Sequence, residues 1–233
     1  MSSVKGLLLD AVKFALREAK VSGVREIGPS IRAIELTGDK LRGAGWIPGD
    51  KIQVVLPTKD VRTYTPTRWD GATTEILAFH RGTSERSPGS AWSRTAAIGD
   101  VVRFVGPQRS LKRAPGKTAV LFGDETSFGV ASALAGGGEL HAVLEVTSRA
   151  DTEPVVAEIG ATVTLVEKTG GDAHLASVAD RLVALLAAHP EAELLMTGRA
   201  QSIQALRTRL RAAGVRPRDS AKPYWAVGKT GLD

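Results

Sequence analysis

The chain has 233 residues, 42% of them hydrophobic, enough for one large or two small domains with cores of their own. It carries 31 Lys and Arg against 25 Asp and Glu, a formal charge of +6, and only 5% aromatic residues. The absence of cysteine excludes thiolate metal sites, iron–sulfur clusters, disulfides and cysteine nucleophiles, so redox chemistry would have to come from a bound organic cofactor.

Leu8, Val12, Ala15, Leu16 and Ala19 stand at helical spacing and predict an amphipathic N-terminal helix within a first segment, 1–20, that caps a domain or serves a homodimer interface. Its apolar run, interrupted by Asp10 and Lys13, is too short for a signal sequence or membrane span, and a cytoplasmic location is expected. From 21 to 115 the rhythm shortens. "IRAIELTG", "DKIQVVLP", "RTYTPTRW", "TEILAFHR" and "DVVRFVGP" alternate or run apolar between Gly, Pro and Asp turns, which predicts an antiparallel β-barrel. After the Pro/Gly hinge "RAPGKT" the pattern changes again. "AVLFG" reads as a buried strand, "DETSFGVASALAG" as a helix, "ELHAVLEV" and "ATVTLVEK" as strands, and "HLASVADRLVALLAAH" as a helix. "ELLMTG", "RAQSIQALRTRLRAAG" and "PYWAVG" follow as strand, helix and last strand. Residues 116–233 are therefore expected to form a Rossmann-like α/β domain with a parallel sheet and a ligand site at the carboxyl ends of its strands.

In "RTYTPTRWD" an extended backbone puts Arg62 and Tyr64 on one face and Thr63 and Thr65 on the other, with Pro66 marking an edge or strand end. A guanidinium there suits a phosphate, a phenol ring suits a flat ligand, and a threonine suits a ring nitrogen. An ordinary solvent-facing strand accounts for the same residues. "FGDETSFG" follows a strand and opens a helix, so its N–H groups suit a cofactor phosphate, while Asp124 or Thr126 equally suits a helix cap; no Gly-x-Gly-x-x-Gly pattern occurs. The four histidines, at 80, 141, 174 and 189, are scattered, and no protein metal site is expected. The basic surplus gathers at Arg68, Arg81, Arg86, Arg109, Lys112 and Arg113, and again from Arg199 to Arg218. With no helix-turn-helix, zinc-finger or aromatic RNA-binding pattern, this charge suits an anionic small molecule rather than nucleic acid.

Taken in order, "RTYT" at 62, "FHRG" at 79, "SPGSAWS" at 87, "AIGD" at 97, "VGPQRS" at 105, "GDET" at 123 and "PYWAVG" at 223 resemble the motifs of the siderophore-interacting proteins. These are FAD-dependent ferric-siderophore reductases within the ferredoxin-reductase-like flavoproteins. The resemblance implies an FAD-binding barrel followed by an NAD(P)H-binding-like domain. It implies that Arg62, Thr63, Tyr64 and Thr65 hold the flavin, with Arg62 on a phosphate, Tyr64 along the ring or ribityl chain, and Thr65 at flavin N5 as the catalytic position. His80 and the Gly89-Ser90-Ala91-Trp92 segment would line the diphosphate and adenosine side. Gly123, Asp124, Glu125 and Thr126 would receive NADPH or NADH, and Tyr224 and Trp225 would shield the flavin. The implied activity passes electrons from the nicotinamide through FAD to Fe(III) in an anionic siderophore, with neither nucleic acid nor membrane as partner. Ser127-Phe128-Gly129, Thr197-Gly198-Arg199 and Ala226-Val227 depart from the family pattern. They keep two alternatives open: a flavin reductase for a quinone or partner protein, and a non-catalytic flavin-binding module.

Overall fold

A computed structural model of the protein describes residues 16–80 and 87–228. Residues 16–108 supply seven strands: β1 (Leu16–Gly28), β2 (Ile31–Thr37), β3 (Lys51–Val55), β4 (Val61–Tyr64), β5 (Pro66–Asp70), β6 (Thr73–Phe79) and β7 (Val101–Gln108). They form one sheet in the order β4-β3-β7-β1-β2-β6-β5, with every pairing antiparallel. The two edge strands are consecutive in the chain and are separated only by Thr65. The sheet therefore curls until its edges meet at that corner, the geometry expected of a barrel. Ile34, Leu36, Ile52, Val54, Ile76, Ala78 and Phe104 fill its interior, in the alternation that puts every second residue inward.

Two expectations are corrected in this half. Leu16–Lys20 are not helical but open β1, paired from Leu16↔Val105 to Lys20↔Val101. Leu16 and Ala19 fit both periods, but Ala19 and Val21 are buried with exposed Lys20 between them, so the ladder to β7 decides the conformation. The remainder of the expected N-terminal helix lies outside the described residues. "RTYTPTRW" is not one strand, because Pro66 opens a new edge strand paired with Ile76. The barrel also carries an unforeseen helix, α1 (Pro88–Thr95), whose N-cap Ser87 accepts a hydrogen bond from the Ser90 N–H. Proline in the first turn lacks only a donor that would be unpaired there anyway.

The second half alternates β8 (Ala119–Asp124), α2 (Phe128–Ala135), β9 (Leu140–Val146), α3 (Arg149–Ile159), β10 (Thr162–Glu167), α4 (His174–Ala188), β11 (Glu193–Arg199), α5 (Ala200–Ala212) and β12 (Asp219–Trp225). The sheet is parallel throughout, in the order β10-β9-β8-β11-β12. Every residue of β8 is buried. Ala119 and Leu121 face a core with α2 and α3, and Val120 and Phe122 face another with α4 and α5. The α3 crossover is absent from the sequence reading, although two neighbouring parallel strands require one. Among the described residues no helix is long and apolar enough to cross a membrane.

The two halves share a core. Ile31 and Leu111 are buried with Leu121, Phe128, Leu134 and Val155, and Leu77 and Phe79 of β6 pack against the same cluster. Arg25 makes a two-pronged ion pair with Glu158 of α3 at 2.7 and 2.8 Å. The expected hinge is held as well. Arg113 donates to the carbonyls of Leu134, Gly138 and Glu139 at 2.8, 3.1 and 2.9 Å.

Candidate functional site

Order reversal in the parallel sheet falls between β8 and β11, so a crevice opens at their carboxyl ends, where such sheets take ligands. The barrel corner faces that crevice. The Thr65 and Tyr224 hydroxyls share a 3.0 Å hydrogen bond between positions 159 residues apart. Helix α2 begins against the same corner: a Cβ on Gly129 would stand 2.7 Å from the Thr65 carbonyl oxygen. Gly129 is thus required by close approach, which gives the departure at Ser127-Phe128-Gly129 a local cause.

On the barrel side, the Arg62 side chain runs over Gly89, where an added Cβ would meet Arg62 Nε at 3.2 Å. The guanidinium donates to the adjoining Val61 carbonyl at 2.7 Å and has no ion pair among the described residues. A cation therefore lies beside the first turn of α1, Pro88, Gly89, Ser90 and Ala91, whose helix dipole favours an anion, while the Ser90 and Ala91 N–H groups are themselves bonded to the Ser87 Oγ and carbonyl oxygen. Tyr64 leans on Trp92, with ring centroids 5.6 Å apart. Burial raises the Tyr64 phenol well above its ordinary value, with Arg62 pulling the other way, so the ring stays neutral. Trp92 is 8% exposed and belongs to the barrel core, which makes it a wall of the site. Thr63 pairs with Gln53 on β3. His80 is buried near Glu26, Arg32 and Arg94, and its buried Nδ1 has no hydrogen-bond partner among the described residues. Burial lowers its pKa, so the imidazole is neutral at physiological pH.

On the α/β side, Gly123-Asp124-Glu125-Thr126 forms a closed polar network. Asp124, 1% exposed, accepts from the Thr126 N–H at 2.9 Å and the Trp225 indole N–H at 2.6 Å, and its own N–H donates to Ser127 Oγ at 3.1 Å. Burial pushes the Asp124 carboxyl up, and Lys168 opposes it. Gly198, at φ 87°, is forced by the same group, since a Cβ there would lie 2.7 Å from Asp124 Cγ. Glu125, 2% exposed, receives Lys168 Nζ at 2.6 Å, the Thr147 N–H at 2.5 Å and its hydroxyl at 2.7 Å. Burial would raise Glu125, but Lys168 and these hydrogen bonds outweigh it and hold the carboxylate below its usual range. Several groups expected to meet a nicotinamide cofactor's phosphates are therefore occupied by the protein itself. Lys168 and Thr147 escaped the sequence reading. Both follow strand carboxyl ends, β10 and β9, where the parallel-sheet rule would have directed a search.

The basic rim is partly neutralised. Arg68 pairs with Glu35 at 2.9 Å and Glu75 at 3.5 Å, Arg113 is spent on backbone carbonyls, and Arg81 and Arg86 lie outside the described residues. Trp69, beside Arg68, packs against the barrel core. Its indole donates to the Leu41 carbonyl at 3.1 Å, and its ring packs against Trp46 and Phe104.

Two family models match the chain: the siderophore-interacting FAD-binding domain over residues 59–111 and the siderophore-interacting protein over 117–228. FAD is accordingly the cofactor of the barrel half. Among solved structures, the chain is similar to the siderophore-interacting protein SipS from Aeromonas hydrophila, with 21% identity, 92% and 93% coverage of the two chains and a TM-score of 0.73. A siderophore utilization protein from T. fusca is 22% identical over 94% and 95%, with a TM-score of 0.70. The ferredoxin-NADP+ reductase from Plasmodium falciparum shares the fold at 10% identity, covering 95% and 98% with a TM-score of 0.69. No curated protein sequence gives a significant match. With both halves matched in order and the flavoprotein fold common to them, the chain belongs to the siderophore-interacting protein family and has the fold of a flavin oxidoreductase.

Proposed function

We propose that the protein reduces Fe(III) in an anionic siderophore, using FAD and electrons from NADPH or NADH. The observation that carries this reading is the Thr65–Tyr224 contact, which sets the Arg-Thr-Tyr-Thr corner against the strand ends of the second half. The residues fit FAD. Arg62 supplies a cation beside bare Gly89 and the first turn of α1, Tyr64 supplies an aromatic ring backed by the tilted Trp92, and His80 offers a buried nitrogen with no hydrogen-bond partner among the described residues. When bound, FAD supplies the conversion of a two-electron hydride donor into one-electron deliveries, which side chains cannot perform.

The chain's own residues have separate tasks. Arg62 would hold a phosphate at the positive end of the α1 dipole. The Thr65 hydroxyl, oriented by Tyr224, would offer a hydrogen-bonding group to the bound flavin ring. The partly buried Tyr224 and Trp225 would limit water at the flavin, with Trp225 held in place by Asp124. Hard oxygen donors bind Fe(III) far more tightly than Fe(II), so reduction itself releases the metal substrate and no protein iron ligand is needed for the reaction.

The test is steady-state turnover with NADPH or NADH and a ferric siderophore, with Fe(II) captured by a ferrous-specific chelator. Siderophore-dependent Fe(II) above the background from oxygen-reoxidised flavin supports the reading, and its absence overturns the iron role. A reductase serving a quinone or partner protein is the second reading. It is favoured by the engagement of Arg68 and Arg113 within the fold, which leaves fewer cations for an anionic chelate.

A further inference from the structure

We propose that Glu139, His141 and His189 form a binding site for a divalent first-row transition cation, at the end of the parallel sheet opposite the flavin crevice. The donor atoms of the three residues lie within 4.8 Å of one another. Alternation along β9 explains how they meet. His141, Val143 and Glu145 point to the face covered by α4, and Glu139 precedes His141 by two residues on the same side. Helix α4 runs back along that face from His174 to Ala188. Its first residue bonds Glu145, His174 Nε2 to carboxylate at 2.7 Å. Its last turn delivers His189 to His141, with ring centroids 4.6 Å apart. The pair at the crevice end is thus a closed structural contact, and the group at the far end, about 20 Å away along the helix, is open.

The geometry at the far end is that of ligands rather than of a finished hydrogen-bond network. His141 Nε2 stands 3.2 Å from Glu139 Oε1, yet it is buried with no aligned hydrogen bond. His189 Nδ1 stands 4.0 Å from Glu139 Oε2. Metal bonds of about 2.0–2.1 Å at tetrahedral angles place neighbouring donors about 3.4 Å apart, close to the first of these separations. Two imidazoles and one carboxylate suit Zn(II), and also Fe(II), Co(II) or Ni(II). The side chains of Glu139 and His189 are 56% and 27% exposed, which leaves an entry path and room for a water in a fourth position. Glu139 is already oriented: Thr118 Oγ1 donates to its Oε2 at 3.1 Å, and Arg113 donates to its backbone carbonyl at 2.9 Å. Binding would tie the exit of α4 to the starts of β8 and β9.

The test uses tag-free, full-length protein stripped with a chelator, titrated with Zn(II) by calorimetry and with Co(II) by visible absorption. One equivalent of Zn(II), a Co(II) ligand-field band and a melting temperature raised by several degrees at saturation are expected. His141→Ala and His189→Ala should each weaken binding at least about 100-fold, beyond the loss that removal of an outer partner causes. Glu139→Gln, which preserves shape, should weaken it about tenfold or more. Flavin absorption should be the same before and after titration, and it reports that each variant is folded. Zn(II) uptake no tighter in the native chain than in the His141→Ala/His189→Ala double variant, or no Co(II) band, overturns the proposal.

Discussion

The two halves of the candidate site treat their polar groups in opposite ways. Among the described residues of the barrel side, Arg62 bonds a neighbouring carbonyl and has no ion pair, and the buried His80 Nδ1 has no hydrogen-bond partner. On the α/β side, Asp124 and Glu125 are almost wholly buried and bonded to Thr126, Trp225, Thr147 and Lys168. An unpaired buried polar group costs stability unless a ligand completes it, whereas a completed network specifies one arrangement of the backbone. On the proposed reading the barrel side would receive the cofactor's polar groups, and the Gly-Asp-Glu-Thr segment would fix the backbone beside it.

Substitutions that remove one partner should separate the two roles. The largest effect is expected from Lys168→Ala, which leaves the Glu125 carboxylate buried without its counter-charge and should cost about 3 kcal/mol in urea unfolding. The same pair sets an acid limit. Glu125 has a folded pKa below its ordinary value of 4.5, so its contribution is complete above that value and lost as pH falls through the folded value. Asp124, with a raised pKa, acts oppositely: its contribution is present at low pH and lost as pH rises through the folded value. The two groups therefore oppose each other between pH 7 and 3: Glu125→Gln should remove an acid-side loss from the unfolding midpoint, and Asp124→Asn an acid-side gain.

Arg62→Ala should weaken FAD binding about 10–100-fold, measured by flavin fluorescence on adding FAD to stripped protein, from loss of a charge-assisted hydrogen bond. Apo stability should change by less than about 0.5 kcal/mol. A comparable loss of stability would place Arg62 with the structural groups and break the contrast. Gly129→Ala should cost about 1–2 kcal/mol, because the new methyl must displace the Thr65 carbonyl or α2. A neutral outcome would mean that the two halves meet less closely than the structure shows.

Much of this was legible in the sequence, and the exceptions have physical causes. The barrel strands and the parallel sheet follow from apolar periodicity and turn residues, which are local signals. Residues 16–20 were misread because Leu16 and Ala19 satisfy both a helical and a strand period, and only pairing with β7 decides between them. Helix α3 was missed because Pro154 interrupts it, although Ser148 caps one end and Gly160, at φ 70°, closes the other. In the site, Arg62, Tyr64 and Thr65 were marked by an unusual run of residues. Their partners Gly89, Gly129 and Tyr224 acquire meaning only from close approaches between distant segments. His141 and His189 looked scattered for the same reason: α4 folds back along β9 and brings its far end to them.

The central claim is that the barrel holds FAD where a donor at the crevice can reduce it and a ferric chelate can reoxidise it. Anaerobic addition of NADPH or NADH to the FAD-loaded protein, followed by a ferric siderophore, tests this most directly. The expected result is bleaching of the yellow flavin band, then its return on adding the siderophore, with two Fe(II) released per nicotinamide oxidised. A flavin that neither nicotinamide bleaches, or one that stays reduced in the presence of the ferric siderophore, would contradict the account.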